Sequence, residues 1–357
     1  MTKQYNPLGC DGFEFVEFTA ADSFGIEALK SLFLALGFAK VAKHRSKQAW
    51  LFRQGDINFI VNAEPRSQAH SFASIHGPSV CGMAFRVQDA AMAHSHALAK
   101  GAQRYVTEIG PMELSIPAIY GVGGSLLYFV DRYGDSTIYD VDFKFYSEFR
   151  SKPLPVEVGL TVIDHLTHNV NRGGMDKWAD FYQRIGNFQE IRHFDIEGKH
   201  TGLVSRAMTA PCGKIRIPIN ESSDEQSQIQ EFIRDYNGEG IQHIALATDN
   251  IYATVARLLE RGVTFMSTPS SYYDKVNQRI KGHQEDLDKL KELQILIDGS
   301  ADKDGILLQI FTQNVIGPVF FEVIQRKGNQ GFGEGNFQAL FESIEDDQIR
   351  RGVLSDA

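Results

Sequence analysis

Three ionisable residues interrupt apolar, strand-like runs, and their types suggest a metal site. Glu322 lies among apolar residues, and alternation along a strand places it on one face with Phe320 and Ile324. Burying a carboxylate there costs roughly several kcal/mol unless a charge or a metal pairs with it. His165 and His243 are flanked by apolar residues in two other such runs. Two histidines and one carboxylate form the ligand set of non-haem Fe(II) oxygenases, which leaves metal positions open for substrate and oxygen.

A fourth residue, His168, competes with His165 for the role of ligand. The two histidines are three residues apart in a strand, so they point to opposite faces and only one can face the core. We favour His165, because His168 precedes Asn169 at the strand end, where a structural hydrogen bond is natural. A single core histidine is more often structural than a ligand, but three such residues on separate strands reverse that expectation.

The strands that carry these residues belong to an internal repeat. Each half of the chain is built twice from a strand, a helix and several more strands, with a linker marked by Pro153 and Pro155. We therefore predict a structural domain over residues 1–152 and a catalytic, iron-binding domain over residues 153–357. Matching the halves gives each ligand a first-half counterpart that is not a ligand: Phe13 opposite His165, Met83 opposite His243 and Tyr128 opposite Glu322.

The second half contains further elements whose bounds follow from periodicity. The spacing predicts a helix over Met175–Ile185 that Gly186 stops, and a strand over Val263–Met266. Residues Pro269–Asp304 interrupt the repeat, and their charged run Lys281–Leu287 is interpreted as a solvated helix without chemistry.

Composition narrows the class of partner. The 357 residues carry a net charge of -9 with 43% hydrophobic residues, which is typical of a globular chain and disfavours nucleic acid or an anionic membrane surface. A small-molecule ligand is expected instead. No stretch approaches the roughly 18 apolar residues of a membrane span, and the first residues lack a signal-like apolar region, so we expect a cytoplasmic protein. Cys10, Cys81 and Cys212 are interpreted as buried small hydrophobic residues.

Several runs resemble those of the 4-hydroxyphenylpyruvate dioxygenase family, and the similarity covers nearly the whole chain. The glycine-rich run that ends at Phe337, followed by Leu340-Phe341-Glu342, is the most specific to that family. The runs that carry the resemblance are Ile163–Asn169, Gly240–His243, Leu307–Phe311, Phe321–Arg326 and Gly331–Phe337.

This resemblance implies a fold, a cofactor and a reaction. The fold would be the α+β vicinal oxygen chelate arrangement, with paired βαβββ modules that form an open barrel in each half. Fe(II) would be bound by His165, His243 and Glu322. The partners would be O2 and an aromatic 2-oxo acid, 4-hydroxyphenylpyruvate, which is decarboxylated, hydroxylated on the ring and rearranged to homogentisate and CO2 in tyrosine and phenylalanine catabolism. A homo-oligomer, dimer or tetramer, is also implied.

Family resemblance also places residues around the substrate. Gln242, Gln309 and Phe337 would take part in catalysis, and a lid helix would run from Phe337 to Ile349. The residues implied to bind the substrate are Ser205, Asn220, Gln228, Gln242, Gln309, Phe311, Phe332, Asn336 and Phe337. The polar members would offer neutral hydrogen bonds that do not compete for the metal, and the phenylalanines would stack on the ring. Taken singly, each polar member is more often structural than functional, and Phe311 is as well explained by core packing.

Three other functions share features with this interpretation. Hydroxymandelate synthase uses the same substrate, metal and fold but oxidises the benzylic carbon; a bulky aromatic residue at Phe337 favours attack at the ring, as does the resemblance at Pro218 and Asn220. Extradiol dioxygenases normally need an acid-base histidine, and no histidine follows His283. A drug-binding module of the same fold would leave the buried Glu322 unexplained.

Nucleotide binding is not expected. The glycines at 331, 333 and 335 lack the strand-loop-helix context and the lysine of a phosphate-binding loop.

Overall fold

The computed structural model describes residues 4–106, 109–110, 112–149, 158–197, 202–333 and 335–336. Within these residues the strands form two sheets. The first sheet contains β1 (Cys10–Thr19), β2 (Ala39–His44), β3 (Ala49–Gln54), β4 (Ile57–Asn62), β5 (Ser79–Val87), β6 (Arg104–Tyr105), β7 (Ala118–Tyr120), β8 (Leu126–Val130) and β9 (Phe143–Phe145). The second sheet contains β10 (Leu160–Val170), β11 (Gln189–Glu197), β12 (Gly202–Thr209), β13 (Arg216–Ser222), β14 (Gly240–Thr248), β15 (Leu296–Ser300), β16 (Gly305–Phe311) and β17 (Phe320–Lys327).

Helices connect the strands within and between the repeats. They are α1 (Ser23–Ala35), α2 (Gln68–His76), α3 (Ala90–Ala99), α4 (Ile138–Asp142), α5 (Met175–Gly186), α6 (Gln228–Asp235), α7 (Ile251–Glu260), α8 (Ser270–Asp274), α9 (Val276–Arg279) and α10 (Leu287–Glu292). Their caps follow from the sequence. The Asp22 side chain accepts a hydrogen bond from the Gly25 amide at the start of α1, and Asn250 does the same for Ala253 at α7.

Each sheet is assembled from two βαβββ modules that meet at a central antiparallel pair. In the second sheet β10 pairs antiparallel with β14, while β13 and β17 pair parallel with β10 and β14 on either side. The first sheet repeats this pattern with β1 and β5 at its centre and β4 and β8 beside them. The predicted vicinal oxygen chelate arrangement is therefore confirmed.

The pairing registers correct the predicted match between the halves. Equivalent ladder positions set Phe15 opposite His165, Gly82 opposite His243 and Tyr128 opposite Glu322. The prediction of Tyr128 is confirmed, whereas those of Phe13 and Met83 are wrong. A two-residue shift leaves the alternation of β1 unchanged, so periodicity alone cannot detect it. The bulge at Cys81 in β5 has its counterpart at Gln242 in β14, so the difference between Met83 and Gly82 is a one-residue error in the predicted register.

In the first half, a hydrogen-bonded carboxylate lies beside the positions that are equivalent to the candidate ligands. Glu17, at the position equivalent to Thr167, accepts hydrogen bonds from the Tyr128 hydroxyl at 2.9 Å and from Asn62 Nδ2 at 2.7 Å. The Glu17 carboxylate is buried, and these two donors satisfy it. The Glu17 carboxylate is thus held by two neutral donors inside the first sheet.

Several predicted elements of the second half differ from the structure. Helix α5 includes Gly186, and Asn187 ends it in the left-handed region with φ 54°. Residues Val263–Met266 form no strand beyond one bridge between Phe265 and Thr312, and β15 takes that place in the module. The interruption of the repeat is therefore the stretch between α7 and β15, and the strand β15 is part of the module.

The predicted helix over Lys281–Leu287 is also wrong. Gly282 has φ +78°, which breaks helical geometry, and α10 begins only at Leu287. Asp286 caps α10 by accepting hydrogen bonds from the amides of Asp288 and Lys289. The expected domain boundary at residues 152 and 153 and the expected lid helix from Phe337 lie outside the described residues.

Candidate metal centre

His165, His243 and Glu322 lie on three adjacent strands, β10, β14 and β17, and face one another. Ala245 of β14 pairs with His165 on one side and with Glu322 on the other, and its small side chain leaves room between them. The Nε2 atoms of His165 and His243 lie 3.1 and 3.6 Å from Glu322 Oε2. One ligand atom from each residue falls within 4.8 Å of the others, and all three side chains are buried.

A β-bulge precedes each histidine and supplies its hydrogen-bond partner. The β10–β14 register skips Asp164 and Gln242, which turns their side chains toward the adjacent rings. Asp164 Oδ1 lies 2.8 Å from His165 Nδ1, and Gln242 Oε1 lies 3.1 Å from His243 Nδ1. Because each Nδ1 faces this outer acceptor, Nε2 is the atom that each ring directs toward the centre.

Charged groups make the two histidines electrostatically unequal. Burial opposes a charge on His165, but the Glu322 carboxylate and the hydrogen bond to Asp164 outweigh it and raise the pKa of His165. Burial lowers the pKa of His243 far below its usual range, and the neighbouring His165 adds to that effect. Burial also disfavours the charge of Asp164, yet hydrogen bonds from Arg326 and His165 hold the pKa of that carboxyl well below its ordinary value.

The Asp164 carboxylate is held by two arginines that also reach the loop before residue 333. Arg326 binds it through Nε and Nη2, at 2.8 Å each, and donates through Nη1 to the Gly331 carbonyl. Arg216 lies 3.5 Å from Asp164 and donates to Gln330 Oε1 at 2.8 Å. Neither Asp164 nor these arginines were expected at the site, because alternation along the strand places Asp164 on the opposite face from His165.

His168 has the structural role that was predicted for it. Its Nε2 lies 2.7 Å from the Tyr182 hydroxyl of α5, on the opposite side of β10 from His165. The ring is fully buried, and burial lowers the pKa of His168 to about 3. It stays a neutral hydrogen-bonded core residue at ordinary pH.

The donor set fits a divalent transition metal. Both imidazoles are held with Nε2 toward the centre, and Glu322 Oε1 is buried with no hydrogen-bond partner among the described residues. A buried carboxylate oxygen without a partner is costly, and a cation resolves that cost. Thr167 Oγ1 lies 2.9 Å from His243 Nε2 and occupies one side of the centre.

A set of buried polar groups lies on the same face of the sheet and forms a candidate pocket. Ser205 pairs with Asn220 across β12 and β13, and Asn220 donates to Asn169 Oδ1 at 3.3 Å. Gln309 pairs with Ile324, two residues beyond Glu322. Among the described residues, no partner is found for several of the buried polar atoms on this face: Ser205 Oγ, Asn169 Nδ2, Gln309 Oε1 and Nε2, and Glu322 Oε1. Convergent unsatisfied atoms are what a polar ligand would complete.

Aromatic side chains enclose the centre. Phe332 packs edge-on against His165 with ring centroids 5.4 Å apart. Phe320, which was not expected to contribute, stacks on His243 at 4.9 Å, and Phe311 packs edge-on against Phe320 at 6.1 Å. The rings surround the polar centre with apolar walls that exclude water.

The structure places the remaining expected site residues in different surroundings. Gln242, which was expected to bind the substrate, contacts His243 Nδ1 through its Oε1. Asn336 is fully buried, and its Oδ1 accepts a hydrogen bond from the Tyr272 hydroxyl at 2.6 Å. Gln228 is half-buried at the first position of α6. Phe337 lies outside the described residues.

A sheet of paired βαβββ modules with two histidines and one glutamate at its centre defines a class: the vicinal oxygen chelate fold with a candidate metal site. Family models agree with it. The model described as Hydroxyphenylpyruvate dioxygenase, HPPD, N-terminal matches residues 4–144, and that of the Glyoxalase/Bleomycin resistance protein/Dioxygenase superfamily matches residues 162–310.

Curated relatives narrow this class. The chain is 65% identical to a 4-hydroxyphenylpyruvate dioxygenase of Pseudomonas aeruginosa, over 99% of this chain and 98% of the relative. It is 74% identical over the full length of both chains to a Vibrio vulnificus protein named Hemolysin VllY. The chain therefore belongs to the 4-hydroxyphenylpyruvate dioxygenase family of enzymes.

Solved structures agree with the fold. A fusion protein of a xylose isomerase-like TIM barrel and a 4-hydroxyphenylpyruvate dioxygenase aligns with a TM-score of 0.80 and 35% identity, over 96% of this chain and 54% of that one. A triple mutant of 4-hydroxymandelate synthase from Streptomyces coelicolor aligns with a TM-score of 0.82 at 24% identity, over 95% of this chain and 99% of that one, which supports the fold alone. In the described part of the chain, none of the helices combines the length and apolarity needed to cross a membrane.

Proposed function

We propose that this enzyme is an Fe(II)-dependent 4-hydroxyphenylpyruvate dioxygenase that forms homogentisate and CO2. The observation that carries the proposal is the buried cluster of His165, His243 and Glu322, whose ligand atoms lie within 4.8 Å of one another in a member of this family. Two neutral imidazoles and one carboxylate suit Fe(II) and leave open positions for further ligands. When bound there, Fe(II) would supply the redox chemistry that couples O2 to decarboxylation and ring hydroxylation.

The residues of the chain would hold and orient the metal. Asp164 and Gln242 fix the imidazoles through Nδ1, so Nε2 of each ring is the atom that would bind. His243 stays neutral because burial lowers its pKa, so no proton has to leave it before a cation binds. Glu322 supplies the negative charge.

The pocket would orient an aromatic 2-oxo acid. The 2-oxo and carboxylate oxygens of the substrate would bind the metal, so no arginine is required for the carboxylate. Ser205, Asn220, Gln228 and Gln309 would contact the ring end as neutral hydrogen-bonding groups. Phe311, Phe332 and Phe337 would be the walls that hold the ring.

Further expectations complete the proposal. We infer a homo-oligomer, a cytoplasmic location and a role in tyrosine and phenylalanine catabolism from family resemblance. We also retain the division into a structural domain over residues 1–152 and a catalytic domain over residues 153–357. The position of Tyr128, Gly82 and Phe15 opposite the three ligands supports an iron site confined to the second half.

One experiment separates this proposal from its alternatives. The protein is loaded anaerobically with Fe(II), then given 4-hydroxyphenylpyruvate and O2, and the products are identified by mass spectrometry. Homogentisate with equimolar CO2 is the expected result. Hydroxymandelate would replace the proposed activity with that of a hydroxymandelate synthase, and absence of O2 uptake would favour a binding module. Glu322→Gln loaded in the same way is the matched control and should be inactive.

A further inference from the structure

The stretch between α7 and β15, which interrupts the repeat, makes a close contact with the last described residues of the chain. The Tyr272 hydroxyl of α8 lies 2.6 Å from Asn336 Oδ1 and 2.8 Å from the Ile297 carbonyl, and it accepts a hydrogen bond from the Ile297 amide at 2.9 Å. Arg279 of α9 lies over the Tyr272 ring at 4.7 Å and donates to its hydroxyl at 2.6 Å. We call Tyr272, Arg279 and Asp298 the socket.

The socket also binds the backbone next to Asn336. Arg279 Nη1 donates to the Gly335 carbonyl at 3.2 Å, and the Gly335 amide donates to Asp298 Oδ2 at 2.7 Å. A Cβ at position 335 would collide with the Asp298 carboxylate, so a larger residue there would displace that side chain. Both polar groups of residue 335 are therefore used to fix the segment in place.

The hydrogen bonds decide how the Asn336 amide is oriented. The Tyr272 oxygen already accepts hydrogen bonds from the Ile297 amide and from Arg279 Nη2, so toward Asn336 it can act only as a donor to Oδ1. Arg279 adds a weaker contact to the same oxygen at 3.3 Å. Because both neighbours are donors, the amide oxygen must face the socket and Nδ2 must face away. Asn336 is fully buried, and its Nδ2 has no partner among the described residues.

The free Nδ2 belongs to a segment that lies against the candidate pocket. A Cβ at Gly333 would collide with the Gln309 side chain, which also has no partner among the described residues. Tyr272 itself packs against the cluster of Phe311, Phe320 and Leu296, and Phe320 stacks on His243. The socket is thus connected by direct packing to the wall of the metal centre.

We propose that Tyr272 and Arg279 are positioning residues that hold the Asn336 amide with Nδ2 presented as a donor to an oxygen of the bound ligand. The identity of that ligand rests on the proposed function, since the oxygen is assigned to the aromatic 2-oxo acid. The socket acts through Asn336 and does not touch the ligand. It gives the inserted stretch a role in substrate recognition.

The first test measures the socket without any ligand. Hydrogen exchange of the peptide that contains residues 331–336 is followed in the full-length protein and in Tyr272→Phe, which removes only the hydroxyl. Loss of one hydrogen bond corresponds to about a 5- to 10-fold faster exchange of the Gly335 and Asn336 amides. Tyr273→Phe is the matched control, because no hydrogen bond links the neighbouring hydroxyl to the described residues of the 331–336 segment. Unchanged exchange in Tyr272→Phe would overturn the proposal.

The second test asks whether the socket acts through Asn336. Tyr272→Phe should raise KM for 4-hydroxyphenylpyruvate about 5- to 10-fold with kcat changed less than about 2-fold, and Arg279→Gln should act in the same direction. In the Asn336→Ala background, Tyr272→Phe should raise KM no further. An equal rise in both backgrounds would overturn the positioning role. If no aromatic 2-oxo acid is turned over, the proposed function fails, whereas the exchange measurement still decides on the socket.

Discussion

Arg326 holds the carboxylate of Asp164 with two hydrogen bonds of 2.8 Å each. The same carboxylate accepts the Nδ1 proton of His165, so the guanidinium determines the orientation of a candidate metal ligand through one intermediate. Through its contact with the Gly331 carbonyl, Arg326 also fixes the loop that carries Phe332. Arg326 therefore stabilises both the candidate metal centre and the loop of its aromatic wall.

Asp164→Asn should weaken metal binding while leaving the fold intact. An asparagine keeps the shape but loses the charge, and it can turn its amide NH2 toward His165, which would favour the wrong tautomer. Loss of such an outer partner typically costs about 10- to 100-fold in metal affinity. Titration of the metal-free protein with Co(II), followed by its visible absorption, measures the effect.

The matched control for that prediction is Arg216→Gln. Arg216 lies 3.5 Å from Asp164 and lacks the bidentate hydrogen bonding that Arg326 provides. Its replacement should change Co(II) affinity less than Asp164→Asn does. Equal affinities of Asp164→Asn and the unmodified protein would exclude Asp164 as the residue that orients His165.

Glu322→Gln should reduce metal affinity by more than the roughly 10- to 100-fold that loss of an outer partner costs, because it removes a ligand. The metal-free protein should still fold, since the amide has the same shape and removes the buried negative charge. The control is Glu17→Gln, a buried carboxylate of the first sheet that is bonded to Tyr128 and Asn62. That variant should keep full metal affinity, and a loss there would contradict the confinement of the site to the second half.

The three candidate ligands could be predicted from the sequence because each is a polar residue in an apolar strand. A polar residue in a buried strand needs a partner, and pairing of the strands brings these three residues together. The internal repeat followed from the periodicity of the strands and helices, whereas the vicinal oxygen chelate fold was implied by the family resemblance. What the pattern could not supply was the register between the halves, since an alternating strand looks the same after a shift of two residues.

The outer partners and the socket could not be predicted, for a different reason. By alternation Asp164 should point away from the face that His165 occupies, and only the bulge turns both side chains toward the centre. Tyr272 and Asn336 are 64 residues apart, and nothing in the local sequence of either indicates the other. Their contact depends on how the inserted stretch packs on β15 and β16, which is a tertiary property.

His168 should make stability depend on pH in a defined window. Burial lowers its folded pKa to about 3, whereas an unfolded histidine titrates near about 6.5. Stability is therefore fully present above about pH 6.5 and is lost as the pH falls toward 3, because only the unfolded state binds the proton. The slope contributed is at most about 1.4 kcal/mol per pH unit. His168→Gln should flatten the free energy of unfolding against pH in urea titrations between pH 6.5 and 4.

Tyr182→Phe separates the proton linkage from the hydrogen bond. It removes the partner of His168 Nε2 and should cost about 1 kcal/mol at every pH, but it leaves the histidine buried and titratable. The pH slope should therefore persist in this variant. A His168→Gln protein whose slope equals that of the unmodified protein would show that His168 does not govern the acid sensitivity.

Cys212 should react as a thiolate at neutral pH. The interpretation of the three cysteines as buried holds for Cys10 and Cys81 but is wrong for Cys212, which is half-buried. Its sulfur lies 3.5 Å from that of Cys10 and is only partly buried, and the hydrogen bond from the Cys10 thiol lowers the pKa of Cys212 to about 6. Thiolate is the reactive form, so the rate of alkylation by iodoacetamide should rise with pH around that value and level off above pH 7. Cys10→Ala removes the donor and should move the midpoint toward the ordinary thiol pKa of about 8.5. Mass spectrometry of the alkylated peptide gives both curves, and an unchanged midpoint in Cys10→Ala would exclude the hydrogen bond as the cause.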